Sequence, residues 1–77
     1  MNIDLELLKF FIDNFKYVLL IKCIDNTAYA DHLTEGELYI TDKLELRSDG
    51  LHCRITDDNG GTCFPFFDRF KISSIDK

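Results

Sequence analysis

This 77-residue sequence has no tryptophan, a single proline (Pro65) and only four glycines. Nothing in it approaches the roughly 18 uninterrupted apolar residues of a transmembrane helix, so no membrane association is expected. The early residues include Asp4 and Glu6 rather than the basic start and small-residue cleavage site of a secretory signal, and a cytoplasmic protein is expected. Phosphate-cradling glycine patterns are missing, as is any motif around a Ser or Cys nucleophile, so no catalytic residue and no cofactor is assigned. Cys23, Cys53 and Cys63 are odd in number and lack CxxC spacing, which favours reduced, packed thiols over a disulfide framework. His32 and His52 have no second ligand at metal-site spacing, and no metal is assigned. Positive charge is scarce too: nine Lys and Arg face fourteen Asp and Glu, for a net charge of −5. The nine are scattered, which argues against broad attraction to nucleic-acid phosphates.

What is present is globular, with seven Phe and three Tyr. The expectation is one small domain spanning residues 1–77, burying roughly 60% of its unfolded surface. Residues 3–15, IDLELLKFFIDNF, read as a helix, with Leu5, Leu8, Phe11, Ile12 and Phe15 on one stripe. Asn2 or Asp4 suits its N-cap. A helix this short needs tertiary support, and the simplest arrangement lays it over the apolar run YVLLIKCI at 17–24, which reads as a strand covered on both faces. Leu7 and Phe10 fall outside the stripe.

Residues 25–36 have weak periodicity and end at Gly36. From Leu38 the pattern alternates: Leu38, Ile40, Leu44 and Leu46 share the face expected to be inner. Tyr39, Thr41, Lys43, Glu45 and Arg47 share the other. Asp49-Gly50 and Asn59-Gly60 are two-residue hairpin signals, because both turn positions tolerate positive φ. Turns there set Leu46 opposite Cys53, Leu44 opposite Ile55, Glu45 opposite Arg54, Ile55 opposite Phe64 and Cys53 opposite Phe66. Pro65 suits an edge or strand end, and FKISSI makes a last short strand.

The order helix, strand, long loop, strand, hairpin, strand, hairpin, strand, turn, strand resembles an SH3-like barrel. The sequence is also similar to a group of small bacterial and phage proteins of that fold. Lys22–Asn26 match their KCIDN. Leu33, Thr34, Gly36 and Tyr39 match LT-x-G-x-x-Y, and Asp57, Asp58 and Gly60 match DD-x-G. Pro65, Arg69 and Phe70 match P-x-x-RF, with Arg69 one position late. The resemblance covers about residues 20–72. It implies a mainly β fold: a five-stranded SH3-like barrel over 17–75 with one N-terminal helix over 3–15. The missing tryptophan sets the chain apart from SH3 domains that grip proline-rich ligands.

Function is expected to be interaction without catalysis: a phage or prophage protein that binds and inhibits a host or defence protein, or pairs with itself as a homodimer. Leu7 and Phe10 would form an apolar flank of the helix. Tyr29, Asp31 and His32 would offer a recognition surface on the long loop. The alternative is a barrel that binds single-stranded nucleic acid, with Phe67 as the stacking platform beside Arg54, Arg69 and Lys71. The DDNGG stretch at 57–61 lacks the alternate ligands and closing Glu of a calcium loop and reads as a hairpin turn.

Overall fold

The computed structural model describes residues 4–76; Asn2, Ile3 and the Leu5 side chain, all named above, lie outside what is described. Helix α1 (Leu5–Phe15) is followed by seven strands. They are β1 (Val18–Cys23), β2 (Leu38–Thr41), β3 (Leu44–Arg47), β4 (Gly50–Cys53), β5 (Ile55–Thr56), β6 (Thr62–Cys63) and β7 (Phe70–Asp76). A 3-10 turn at Phe67–Arg69 leads into β7. Mainly β with one helix is therefore right at the coarse level. The strand count is seven rather than five because two long strands are each broken once, at Asp42-Lys43 and at Arg54. Among the described residues the ladders form three sheets: β2-β1-β7, β3-β4 and β5-β6.

Asp4 caps α1, its carboxylate accepting from the Glu6 amide at 3.0 Å and the Leu7 amide at 3.2 Å, which satisfies two otherwise unpaired helix donors. Lys16, at φ 60°, reverses the chain after the last turn. Leu8 and Ile12 are buried and Phe11 is half-buried, but Phe15 is exposed. Phe15 stands where the chain turns away, so its ring meets Phe10, Phe11 and Tyr17 instead of the core. The helix's main contacts are with β3, not β1.

The inner face of β2 is the reverse of the expected one. Tyr39 and Thr41 point inward, while Leu38 is 50% and Ile40 63% exposed. Polar tips permit this: the Tyr39 hydroxyl donates to Asp58 at 2.7 Å and accepts from the Thr34 amide at 2.8 Å. Thr41 Oγ1 donates to the Lys43 carbonyl at 3.0 Å. Both are paired, so burial costs little. The kink at Asp42-Lys43 then switches face, and Leu44 is fully buried.

Both hairpins are displaced from their expected register. In the first, Arg47 pairs with Gly50, Leu46 with Leu51, Glu45 with His52 and Leu44 with Cys53. The turn is Ser48-Asp49, and Gly50, at φ 137°, completes the reversal from inside the ladder. A Cβ at Gly50 would also stand 3.4 Å from the Phe66 ring. Leu46 ends 65% exposed. Arg54 meets Asp42 rather than Glu45, with Nη2 at 3.0 Å from both carboxylate oxygens.

In the second hairpin Ile55 pairs with Cys63 and Thr56 with Thr62. Asp57 widens this loop by accepting from the Asn59 amide at 2.9 Å and the Gly61 amide at 3.0 Å. The one-residue slip turns Phe64 and Phe66 to the other face. Phe66 stacks on His52 at 4.3 Å, and the Arg47 guanidinium sits 5.0 Å from the Phe64 ring centre. Pro65 takes the inward place, its carbonyl accepting from the Cys53 amide at 3.0 Å. The core is Leu8, Ile12, Leu19, Ile21, Cys23, Leu33, Tyr39, Leu44, Cys53, Ile55, Phe67 and Phe70.

Candidate functional site

The expected site residues fall in two places. Leu7 and Phe10 lie one helical turn apart on α1 and are 51% and 52% exposed. Their exposure follows from the helix's orientation: Leu8 and Ile12 face the core, leaving the 7/10 edge outside. Phe10 is braced by ring contacts with Phe11 at 6.0 Å and Phe15 at 6.1 Å. The Lys9–Asp13 pair borders the patch at 2.5 Å. The result is an exposed apolar, partly aromatic surface.

Tyr29, Asp31 and His32 belong to a different structure. Tyr29 is half-buried against the core, and its carbonyl accepts from the His32 and Leu33 amides. Leu33 is driven inward as an anchor. His32 is exposed, with Nδ1 3.1 Å from Asp57 Oδ2, and its carbonyl accepts from the Asp58 amide at 2.8 Å. The Asp31 carbonyl accepts from Asn59 Nδ2 at 2.9 Å. Thr34 Oγ1 donates to Asp58 Oδ2 at 2.6 Å, and Asn26 Nδ2 to the Leu33 carbonyl at 3.0 Å. The 25–36 segment is thus fastened to the 57–61 turn. Its far side is held by Arg69, which donates to the Thr27 carbonyl at 2.9 Å and lies 3.5 Å from Asp25.

Electrostatics follow these bonds. Burial works against the Asp57 carboxylate, yet the Gly61 and Asn59 amides and His32 hold its pKa below the ordinary aspartate value. Thr27 lowers that of Asp25, helped by Arg69. Asp57 and Asp58 are the hub that sequence reasoning missed. The acid pair in DDNGG was visible, but a turn explained it without a partner.

Phe67 is buried, 6% exposed, because the 3-10 turn points it at the core and toward β4. This corrects its assignment as a stacking platform. Arg54 is held by Asp42, and Arg69 by Thr27 and Asp25. Only Lys71, on β7, is exposed among the four without such a bond in the described structure. The three thiols are free; burial pushes the Cys53 thiol up to about 12, and raises Cys23 and Cys63 as well.

Among the described residues no group of three His, Cys, Asp or Glu side chains converges as a metal site, and no helix is long and apolar enough to cross a membrane. No protein-family model, curated protein or solved structure matches the chain.

Proposed function

We propose that this protein is a non-catalytic interaction module, an SH3-like barrel whose N-terminal helix carries the contact surface. Five extended runs support the barrel reading once the breaks at Asp42-Lys43 and Arg54 are bridged: β1, β2 with β3, β4 with β5, β6, and β7 after its 3-10 turn. The observation that carries the function is the Leu7–Phe10 edge, two large apolar side chains half in water on a helix that turns Leu8 and Ile12 to the core. Resemblance to small phage and bacterial proteins supports a phage or prophage origin, with a host or defence protein as the target to be bound and inhibited. A second copy of the chain is the other partner in keeping with this surface.

The test is a paired measurement on wild type and a Leu7→Glu/Phe10→Glu variant. Light scattering reads self-association, and affinity capture from bacterial lysate reads a specific partner. The expected result is one of the two in the wild type and neither in the variant, with unfolding midpoints that agree. A strictly monomeric wild type without a specific partner rejects the proposal, as does a variant that still binds.

A further inference from the structure

His52 is buried on β4, and each nitrogen of its ring faces an acceptor. Nδ1 lies 2.7 Å from the Phe64 carbonyl oxygen, and Nε2 lies 2.9 Å from Asp49 Oδ1. A carbonyl can only accept, and so can an ionised carboxylate. Asp49 is ionised in this setting, because the bond from His52 outweighs desolvation and holds its carboxyl below the ordinary aspartate value. A ring that serves both partners must therefore carry a proton on each nitrogen, which makes it a cation. The neutral ring has one N–H and has to let one partner go.

The surroundings fit that charge. Phe66 stacks on the ring at 4.3 Å between centres, within range of a cation–π contribution. On β3, Glu45 stands opposite His52 in the ladder, and Arg47 offsets it by donating to Glu45 Oε1 at 2.8 Å. The 3-10 turn packs on β4 and brings Asp68 to the hollow of Asp49, Gly50 and Phe66. Arg69 of that turn is engaged by Thr27 and Asp25, and Phe64-Pro65-Phe66 carries no charge. With Glu45 and Arg47 balanced, Asp49 and Asp68 remain, and both attract a positive ring.

The two bonds hold different things. The Phe64 bond is the shorter, and His52 and Phe66 also form a backbone bridge, so this side is fixed twice. Asp49 stands in the Ser48-Asp49 turn with its side chain 61% exposed, where water can replace the ring as its partner. Because the Arg54 amide donates to the Lys43 carbonyl, ladder alternation makes Arg47 and Gly50 a hydrogen-bonded pair. The Gly50 amide thus reports whether the turn is held. The same hairpin seats α1, which contacts β3 and shares a small apolar hollow with Leu46 and Leu51.

We propose that His52 is a proton-operated latch on the β3-β4 hairpin. The doubly protonated ring ties the Asp49 turn to the 64–66 run, and loss of the Nε2 proton frees the turn while the Phe64 bond stays. The tie holds while the ring is charged and Asp49 is ionised. It is lost as pH rises and the ring gives up its proton. In acid it is lost only below the ordinary aspartate range, since the Asp49 carboxyl is depressed. Neither Leu7 nor Phe10 takes part, so the latch and the helix-edge reading fail independently.

The test is 15N NMR of the imidazole rings, with amide hydrogen exchange, on the full chain from about pH 5 to pH 9. At the acid end both His52 nitrogens are expected to be protonated. On raising the pH Nε2 alone loses its proton, and the Gly50 protection factor falls by about threefold to tenfold, as one lost hydrogen bond implies. Asp49→Asn keeps the side chain's size and can either accept from Nε2 or donate to it, so its Gly50 protection is flat across the range. Should Asp49→Asn fail to fold, the wild-type ring and Gly50 curves decide alone. A ring with the same proton count at every pH overturns the proposal, and so does a proton kept on Nε2 rather than Nδ1. Gly50 protection that is flat in the wild type, or equally pH-dependent in Asp49→Asn, overturns it as well.

Discussion

The least regular segment of this protein is tied down more firmly than its most regular one. Residues 25–36 contain no strand or helix, yet they bury Leu33 and reach the 57–61 turn through His32, Asp31 and Thr34. Helix α1 has a good cap and contacts β3, with Leu8 and Ile12 buried, while Leu7, Phe10 and Phe15 stay in water. Regularity satisfies backbone groups; attachment depends on what the side chains meet. A loop with partners at both ends is scaffold, and a helix with a spare apolar edge is a surface available to others.

Mutations can break this contrast. Leu33→Ala should cost about 3 kcal/mol in denaturant unfolding, the usual penalty for a fully enclosed leucine. Asp58→Ala strips the acceptor from Tyr39 and Thr34 and should cost about 1–2 kcal/mol, with Tyr39→Phe near the lower figure. Acid titration probes the same junction. Asp57 has a depressed folded pKa, so its stabilisation is present above the unfolded value of about 3.9 and drains away as pH falls through the lower folded one. Asp57→Asn should therefore flatten the acid limb of the stability curve. Phe10→Ala, on the helix edge, should move stability by less than about 0.5 kcal/mol. A Phe10→Ala penalty equal to that of Leu33→Ala would abolish the contrast.

Much of the architecture is legible in the residues, and the errors have physical causes. The helix, the first strand, the two hairpins and the last strand all follow from periodicity and turn chemistry. Register does not, because Asp-Gly and Asn-Gly mark a reversal without saying which residues occupy its corner. Gly50 serves from within the ladder, and Asp57 enlarges its loop by capturing two amides. Each shift changes which residues oppose one another, and the second also exchanges faces, so Phe64 and Phe66 leave the expected interior. Alternation misled in β2 for another reason. Hydrophobicity favours Leu38 and Ile40 inside, but the hydroxyls of Tyr39 and Thr41 find acceptors formed by distant chain segments or by the kink. Those acceptors exist only after folding. Of the candidate sites, the exposed Leu7–Phe10 edge could be anticipated from helical spacing, whereas the role of Asp58 required the fold.

Two of the three cysteines give the protein an internal clock. Cys23 and Cys53 are fully shut away, and burial raises the pKa of both, whereas Cys63 is only half-buried and can react without any opening. The rate at which a colour-forming thiol reagent consumes Cys23 and Cys53, divided by its rate with a free thiol, would consequently register how often the sheets part. Ordinary chemistry in a cuvette would then time the opening of the molecule, with no label added.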